Sequence, residues 1–355
     1  MGMVAALGNG VAMNCAAARA GIVRAQALEN YRIRSAVDGE EEPVIGHAAG
    51  LLTRGFEGDA RLVRLAHGAL LDLLAQTPHI DWKTRPAQFY LSLPASGRAK
   101  PNPNQVAHVS AATDLERARR ILTRSAELAA WPQSPRLAAI KTSGHAGALE
   151  AVQAALDDLQ AGRAEMAIIL AIDSLLDAGS LDWLHASNRL KCDAAPDGLQ
   201  PGEAGVAIVL TIHGSAPPAS CSTGRLLSVH IGEETRHLLS AESARGEALA
   251  EVVAHAWADA GVSVPWLILD QNGEVHRALD WGHALVRLRA WTEAFAAPAV
   301  WYPAASFGDT GAASALLGIC MSVRAWERDY APSESAIVAS VSDGKARAAV
   351  AVLKS

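Results

Sequence analysis

The sequence predicts a layered α/β fold made of two duplicated halves. Residues 144–151, "GHAGALEA", and residues 308–315, "GDTGAASA", share the pattern G-x-x-G-A-x-x-A, and each opens an Ala-rich helical pattern. Each repeat is followed by two continuous apolar runs, which are typical of strands buried on both faces. Helices that alternate with such strands in two equivalent halves predict five layers, αβαβα.

The first half begins with a predicted strand, turn and helix at "GNGVAMNCAAARAGI" (8–22), and "RLVRLAHGALLDLLAQTP" (61–78) has the apolar spacing of a helix. "FYLSLPA" (89–95) predicts a strand before the Pro/Asn-rich loop "GRAKPNPNQ" (97–105). After the repeat, the two buried strands are predicted at 164–174 and 204–212. The acidic stretch "DGEEEP", 38–43, is interpreted as a solvated turn.

The second half shares this plan. It has a strand at "LLSVHIG" (226–232), a helix in 242–262 that ends at Gly261, and a strand at "PWLILDQNG" (265–273). After the second repeat, buried strands are predicted at 334–344 and 346–354. Ser, Pro and Gly gather between His213 and Arg225, so the halves are predicted to span 1–215 and 222–355 and to form one compact unit.

Composition excludes several classes of function. The net charge is -6 and the arginines are scattered, which argues against nucleic acid as a partner. No signal peptide pattern and no run of about 20 apolar residues is present, so we expect a cytoplasmic protein without a membrane segment. We expect neither a metal nor a cofactor. The four cysteines are widely spaced and form no zinc motif: Cys15, Cys192, Cys221 and Cys320. His276, Asp280 and His283 have helical spacing, and we interpret the helix face that carries them as solvated.

The order of these elements, with "LQPGEAGVAIVL" (199–210) and "SDGKARAAVAVL" (342–353), resembles the thiolase-fold condensing enzymes, in particular the β-ketoacyl-acyl-carrier-protein synthases. The resemblance covers most of the chain. It implies an acyltransferase ancestry and a homodimer in which a strand of the first half pairs across a two-fold axis, supplied by "RPAQFYLSLP" (85–94) or by the strand after the first repeat. We expect this interface to bury roughly 2,000 Å² or more.

The resemblance also implies three catalytic positions, and all three differ here. A synthase carries a nucleophilic cysteine in the first repeat, at a helix N-terminus that stabilises its thiolate. That position is His145. The synthase histidine after the strand of the second half corresponds to Asn272, and the histidine or asparagine of the second repeat corresponds to Asp309. Ala304 replaces a family lysine, and Glu203 matches a glutamate that we interpret as a loop anchor.

The altered trio leaves three functions open. The first is a dimeric, catalytically inactive adaptor or chaperone, because the chain resembles stand-alone relatives without the cysteine that are encoded beside type VI secretion effectors. The second is an acyl-thioester hydrolase or acyltransferase that uses His145 and Asp309, with Asn272 as an oxyanion donor. The third is a binder of acyl groups or of an acyl carrier protein. Carbon–carbon condensation is not expected, because an acyl-imidazole hydrolyses readily.

Overall fold

The computed structural model describes residues 1–35, 39–95, 98, 111–212, 224–240 and 242–355. The strands before residue 213 are β1 Gly2–Ala5, β2 Gly8–Asn9, β3 Gln26–Arg34, β4 Glu41–Gly46, β5 Gln88–Ser92, β6 Arg136–Lys141, β7 Ala167–Ser174 and β8 Glu203–Leu210. The later strands are β9 Gly224–Glu233, β10 Trp266–Leu269, β11 Ala299–Trp301, β12 Ser335–Val341 and β13 Ala346–Lys354.

The α-helices alternate with these strands. They are α1 Val11–Arg19, α2 Gly58–Gln76, α3 Ala111–Leu128, α4 Gly147–Gln160, α5 Ala178–Ala186, α6 Glu247–Ala260, α7 Val275–Trp291, α8 Ala304–Phe307 and α9 Ser314–Glu327. Short 3₁₀ turns precede two of them, Gly144–Ala146 before α4 and Gly311–Ala313 before α9. Within the described residues, no helix has both the length and the apolar character needed to cross a bilayer.

Two large sheets have the same topology. The first has the order β2-β1-β8-β7-β5-β6 and the second has the order β11-β10-β12-β13-β9. Read in opposite directions and without β2, the two orders are equivalent strand by strand. The parallel and antiparallel pairs also agree: β5 is parallel to β6 and β7, as β10 is to β11 and β12, while β7–β8 and β12–β13 are antiparallel.

Helices fill the space between and outside the sheets. One apolar core joins both sheets through α4 and α9, a second packs α2 and α3 on the first sheet, and a third packs α6 and α7 on the second. Strands β7 and β12 are buried along their whole length, as their continuous apolar sequences predict. The five-layered αβαβα fold is therefore confirmed.

Four details differ from the sequence predictions. Glu41–Gly46 forms β4, which pairs with β3, so residues 41–43 of the predicted acidic turn belong to a strand. The helix predicted within 242–262 begins at Glu247, because Gly246 adopts a left-handed φ of 65°. Both strands proposed as a dimer edge, β5 and β7, lie inside the first sheet, whose edges are β2 and β6. The helix face of His276 and His283 is not fully solvated, since Asp280 is buried.

The predicted boundary between the halves and most of the Pro/Asn-rich loop lie outside the described residues. Glu203 has the structural role predicted for it. It is fully buried at the start of β8, where it accepts hydrogen bonds from Ala49 N, Thr53 Oγ1, Ser174 Oγ and the guanidinium of Arg61.

Candidate functional site

The two repeats form equivalent elbows that enter the central helices. Gly144, with φ 80°, leads from β6 into the 3₁₀ turn that carries His145 and continues as α4. In the second elbow Gly311 has φ 52°, and a Cβ there would lie 2.1 Å from Asp173 Oδ2. Asp173 is held by Arg98 Nη1 and Ala312 N, both at 2.8 Å, so it cannot yield space easily. Both glycines are therefore required by the backbone path.

The structure brings the three predicted positions together. His145 Nε2 lies 2.7 Å from Asp309 Oδ1, and Asn272 Nδ2 donates to Asp309 Oδ2 at 2.6 Å. Asp309 is thus the shared partner of the two other residues. His145 and Asp309 are buried, and Asn272 is half-buried.

The backbone of Asp309 is fixed by the segment that precedes β8. Asp309 N donates to Gln200 O at 2.8 Å, and Gly202 N donates to Asp309 O at 2.9 Å. Gly311 N also donates to Asp309 Oδ1 at 2.8 Å. The carboxylate therefore has a defined orientation, and both of its oxygens accept hydrogen bonds from the protein itself.

A buried arginine that the sequence analysis did not identify completes the site. Arg277, in the first turn of α7, is 0% exposed. Its Nη2 lies 3.1 Å from His145 Nδ1 and 3.3 Å from Nε2, and these near-equal distances place the guanidinium nitrogen over the imidazole ring. The same group donates to Val341 O at 2.6 Å and lies 3.4 Å from Asp270 Oδ2. Arg277 therefore covers one face of the His145 ring.

A second arginine extends this ion network toward the surface. Arg189, after α5, makes paired hydrogen bonds to the carboxylate of Glu274 at 2.6 and 2.9 Å and to that of Asp343 at 2.7 and 3.1 Å. Asp343 also contacts Arg277 Nη2 at 3.2 Å. Asn272 Nδ2 donates to Glu274 at 2.8 Å, which links Arg189 to the trio.

The charges of this network shift the pKa values of its members in opposite directions. Burial and the nearby Arg277 lower the pKa of His145, but the carboxylates of Asp309 and Asp270 outweigh them, so the pKa is raised above its ordinary value. Burial opposes ionisation of Asp309, yet His145, Arg277 and the Asn272 hydrogen bond hold its pKa far below the usual range. Arg189 and Arg277 likewise lower the pKa of Asp343 against its burial.

No thiol replaces the missing nucleophile among the described residues. Cys15 and Cys320 are buried in α1 and α9, and burial raises the pKa of the Cys15 thiol to about 12 and that of Cys320 further. Cys192 is half-buried and takes no part in the hydrogen bonds of the network, and Cys221 lies outside the described residues. Among those residues, no group of three or more His, Cys, Asp or Glu side chains is arranged to hold a metal ion.

His276, Asp280 and His283 do not converge on one point. Asp280 faces inward and accepts from Arg347 Nε at 2.9 Å, while His283 Nδ1 lies 3.0 Å from Ala244 O. Burial lowers the pKa of the half-buried His276 to about 4. These residues have separate structural partners.

No family model and no curated protein matches the sequence. Among solved structures, the ishigamide ketosynthase/chain length factor is 19% identical, with a TM-score of 0.68 over 99% of this chain and 97% of that one. The chain has the ketosynthase fold.

Two further structures have the same extent of similarity. The ketosynthase (ApeO) in complex with its chain length factor (ApeC) from Xenorhabdus doucetiae is 15% identical, with a TM-score of 0.70 over 100% of this chain and 96% of that one. The type II PKS acyl-carrier protein in complex with its ketosynthase (AntDE:AntF), bound to the hexaketide, is 14% identical, with a TM-score of 0.73 over 100% and 97%. At these identities the similarity concerns the fold.

In this ketosynthase fold, the trio and the two arginines satisfy one another. Both N–H groups of the Asn272 amide are used, by Glu274 and by Asp309, so the amide is not aimed at a substrate oxygen. An imidazole that shares its proton with Asp309 has no free lone pair on Nε2. The arrangement is a network of ion pairs and hydrogen bonds, as buried polar groups require, in which Arg277 Nε makes no hydrogen bond and lies 3.8 Å from Glu274 Oε2.

Proposed function

We propose that this ketosynthase-fold protein does not catalyse condensation and acts as a dimeric adaptor that binds a protein partner. The observation that supports this most directly is the state of His145. Its Nε2 is held by Asp309 at 2.7 Å, the carboxylates around it raise the pKa of the imidazole and so favour its protonated form, and Arg277 covers its ring. An imidazole whose Nε2 is engaged by a carboxylate and whose ring is covered has no accessible lone pair with which to attack an acyl thioester or accept a proton from water.

The same observations disfavour an acyl-thioester hydrolase or acyltransferase. Such an enzyme would need a neutral His145 with access to water and a free donor for the developing oxyanion. His145 is instead buried beneath Arg277, and the Asn272 amide is occupied. A carboxylate at Asp309 would also repel the oxyanion, because like charges a few ångströms apart interact strongly in a poorly solvated site.

The solved structures supply an analogy for the partner. They include a ketosynthase with its chain length factor and a ketosynthase with its acyl-carrier protein. We propose by this analogy that the chain pairs with a second ketosynthase-fold subunit, in the simplest case a copy of itself. An acyl carrier protein or a type VI secretion effector is then the proposed cargo or client, and the third hypothesis, acyl binding without turnover, is a variant of the same role.

Turnover of thioesters tests this proposal. The purified protein at high concentration is incubated with acyl- and malonyl-coenzyme A, and free thiol is followed after subtraction of the signal of the four protein cysteines. We expect the rate to equal that of buffer, both for the wild type and for His145→Ala. Thiol release that is lost in His145→Ala and in Asp309→Asn would establish the hydrolase instead, and a β-ketoacyl product detected by mass spectrometry would refute the proposal altogether.

A further inference from the structure

Helices α3 and α7 occupy equivalent places in the two halves but expose different chemistry. Each connects the two strands at one end of the shared sheet order, α3 between β5 and β6 and α7 between β10 and β11. The exposed residues of α3 are mainly charged or hydroxylic: Glu116, Arg119, Arg120, Thr123, Arg124 and Glu127. The exposed residues of α7 are mainly apolar: Val275, Ala278, Leu279, Val286, Ala290 and Trp291.

The apolar residues of α7 form one continuous stripe, which we call the α7 face: Val275, Ala278, Leu279, Gly282 and Val286. Their spacing of three, four and seven residues places them on one side of the helix. Val275 is 51% exposed, Leu279 44% and Val286 67%. A Cβ added at Gly282 would meet nothing within 4 Å, so the middle of the stripe is an open depression.

The opposite side of α7 already packs on the protein. Arg277, Asp280, Trp281, Ala284 and Leu288 are buried there. A helix that is apolar on its solvent side as well as its core side is typical of a helix covered from both sides. The α7 face therefore indicates a contact that the single chain does not supply.

The charged side chains that α7 itself places beside the α7 face are arginines. Arg287 and Arg289 lie at its solvent margins, where Arg287 also donates to Arg245 O and Arg289 donates to two backbone carbonyls after α7. The one carboxylate of the helix, Asp280, is turned inward to Arg347. Arg287 pairs with Glu247 of α6 at 2.8 Å, and this pair is exposed, so water and salt screen it strongly. A partner with carboxylates beside its apolar residues would complement this margin.

The dimensions of the α7 face select the kind of partner. The α7 face extends over residues 275–286 of this helix, about 18 Å, and a stripe about 10 Å wide offers about 180 Å² per partner. A stable contact between two globular surfaces buries about 1,200–2,000 Å² in total, which a single helix face does not reach. A helix of three to four turns matches the length and the width, since helices pack about 8–10 Å apart.

We infer that the α7 face is the docking surface for an amphipathic helix of a protein partner, with acidic residues along both sides of its apolar stripe. This inference rests on the proposed adaptor function and names the surface that would hold the partner. Ala278 and Gly282, four residues apart, allow the two helix backbones to approach closely. Leu279 and Val286 supply apolar area on either side of that depression.

Two synthetic helical peptides test the inference. Both have 18 residues and the same leucine stripe, and they differ in flanking residues, which are glutamate in one and lysine in the other. Binding of each fluorescein-labelled peptide to the full chain is measured by fluorescence anisotropy. We expect saturable binding of the glutamate peptide, binding of the lysine peptide at least tenfold weaker, and a difference that shrinks with added salt.

Point variants locate the binding surface. Leu279→Glu and Val286→Glu should each weaken the glutamate peptide at least tenfold, because each places a carboxylate in the apolar stripe. Leu51→Glu, an 84% exposed leucine in the first half, is the matched control and should bind as the wild type does. Circular dichroism confirms that the exposed substitutions leave the fold intact.

Each other outcome contradicts the inference. No saturable binding, equal binding of both peptides, or equal binding by the α7 variants would refute it. Light scattering covers the remaining alternative: if Leu279→Glu or Val286→Glu converts a dimer to a monomer, a second copy of the chain occupies the α7 face and the inference is wrong. His145→Ala should bind the peptide normally, so thioester turnover can refute the adaptor function independently of peptide binding.

Discussion

At the scale of single residues, His145 and Arg277 determine what the site can do. They lie 132 positions apart in sequence, and the two elbows and the start of α7 bring them into contact. A guanidinium beside an imidazole would repel a proton from the ring, yet Asp309 and Asp270 supply enough negative charge to retain it. The balance depends on the carboxylates, so it can be altered by one isosteric substitution.

Asp309→Asn should both destabilise the protein and change its pH dependence. Removing one member of a buried ion pair leaves the others without compensation, which typically costs about 3–5 kcal/mol. Folding raises the pKa of His145, so its protonated form stabilises the folded state. This contribution to the free energy of unfolding is complete below the pKa of the unfolded chain, near 6.5, and is lost as pH rises through the pKa of the folded protein. The contributions of Asp309 and Asp343, whose pKa values are lowered, are lost as pH falls below about 4.

Urea unfolding between pH 5.5 and pH 9 checks this. The free energy of unfolding of the wild type should decline above about pH 6.5, and that of Asp309→Asn should be flatter over the same range, because its His145 lacks the partner that raised the pKa. His145→Ala should be flatter still above pH 6.5, because it has no imidazole at this position. Parallel profiles for the wild type and Asp309→Asn would show that the pair does not determine the protonation of His145.

The sequence was sufficient to predict the trio but not the arginines. His145 and Asp309 occupy matching repeats, and Asn272 follows a recognisable strand, so position alone identified them. Arg277 and Arg189 carry no local signal, because an arginine near the start of a helix or in a loop is ordinarily solvated. The sequence offers one indirect signal: Asp270, Glu274 and Asp343 follow apolar strands, and carboxylates that are buried need cations as partners.

At the scale of elements, the elbows require glycine, whereas alanine can replace a glycine in α7. Gly311→Ala should cost about 2–5 kcal/mol, the sum of a left-handed φ for alanine and a steric clash with the fixed carboxylate of Asp173. Gly282→Ala should instead raise the free energy of unfolding by about 0.5–1 kcal/mol, because its Cβ meets open space in a helix. Thermal or urea unfolding of both variants gives the comparison, and equal effects would contradict the assigned elbow geometry.

The elements that could be predicted are the buried ones, because burial imposes an apolar pattern on their sequences; the exposed elements have no such pattern. Strands β7, β8, β12 and β13 are continuous apolar runs, and α2 and α6 have clear apolar periodicity. The hairpin of β3 and β4 could not be predicted, because most of its residues are exposed and charged residues occupy strand positions. Strand order is also not determined by these local patterns, and the prediction that β5 or β7 forms a free edge is therefore wrong.

At the scale of the whole molecule, the sheet order leaves one strand suited to extend the first sheet across a dimer. The edges of that sheet are β2, with two residues, and β6, with six. Leu137, Ala139 and Ile140 of β6 are half-buried, and Ala138 is exposed. A partly exposed edge strand with apolar side chains is prone to pair with another strand unless it is covered.

We therefore expect a homodimer in which β6 pairs with β6 of a second copy, and Ala138→Pro should yield a monomer. Proline removes an N–H group and its ring obstructs an added strand. Within the chain this substitution should be tolerated, because β5 pairs with Leu137 and Ala139 across a register shift that leaves Ala138 without a partner. Ala138→Ser keeps the N–H group and is the matched control. Light scattering at micromolar concentration distinguishes the states: a monomeric wild type would contradict the dimer, and a dimeric Ala138→Pro would place the interface elsewhere than β6.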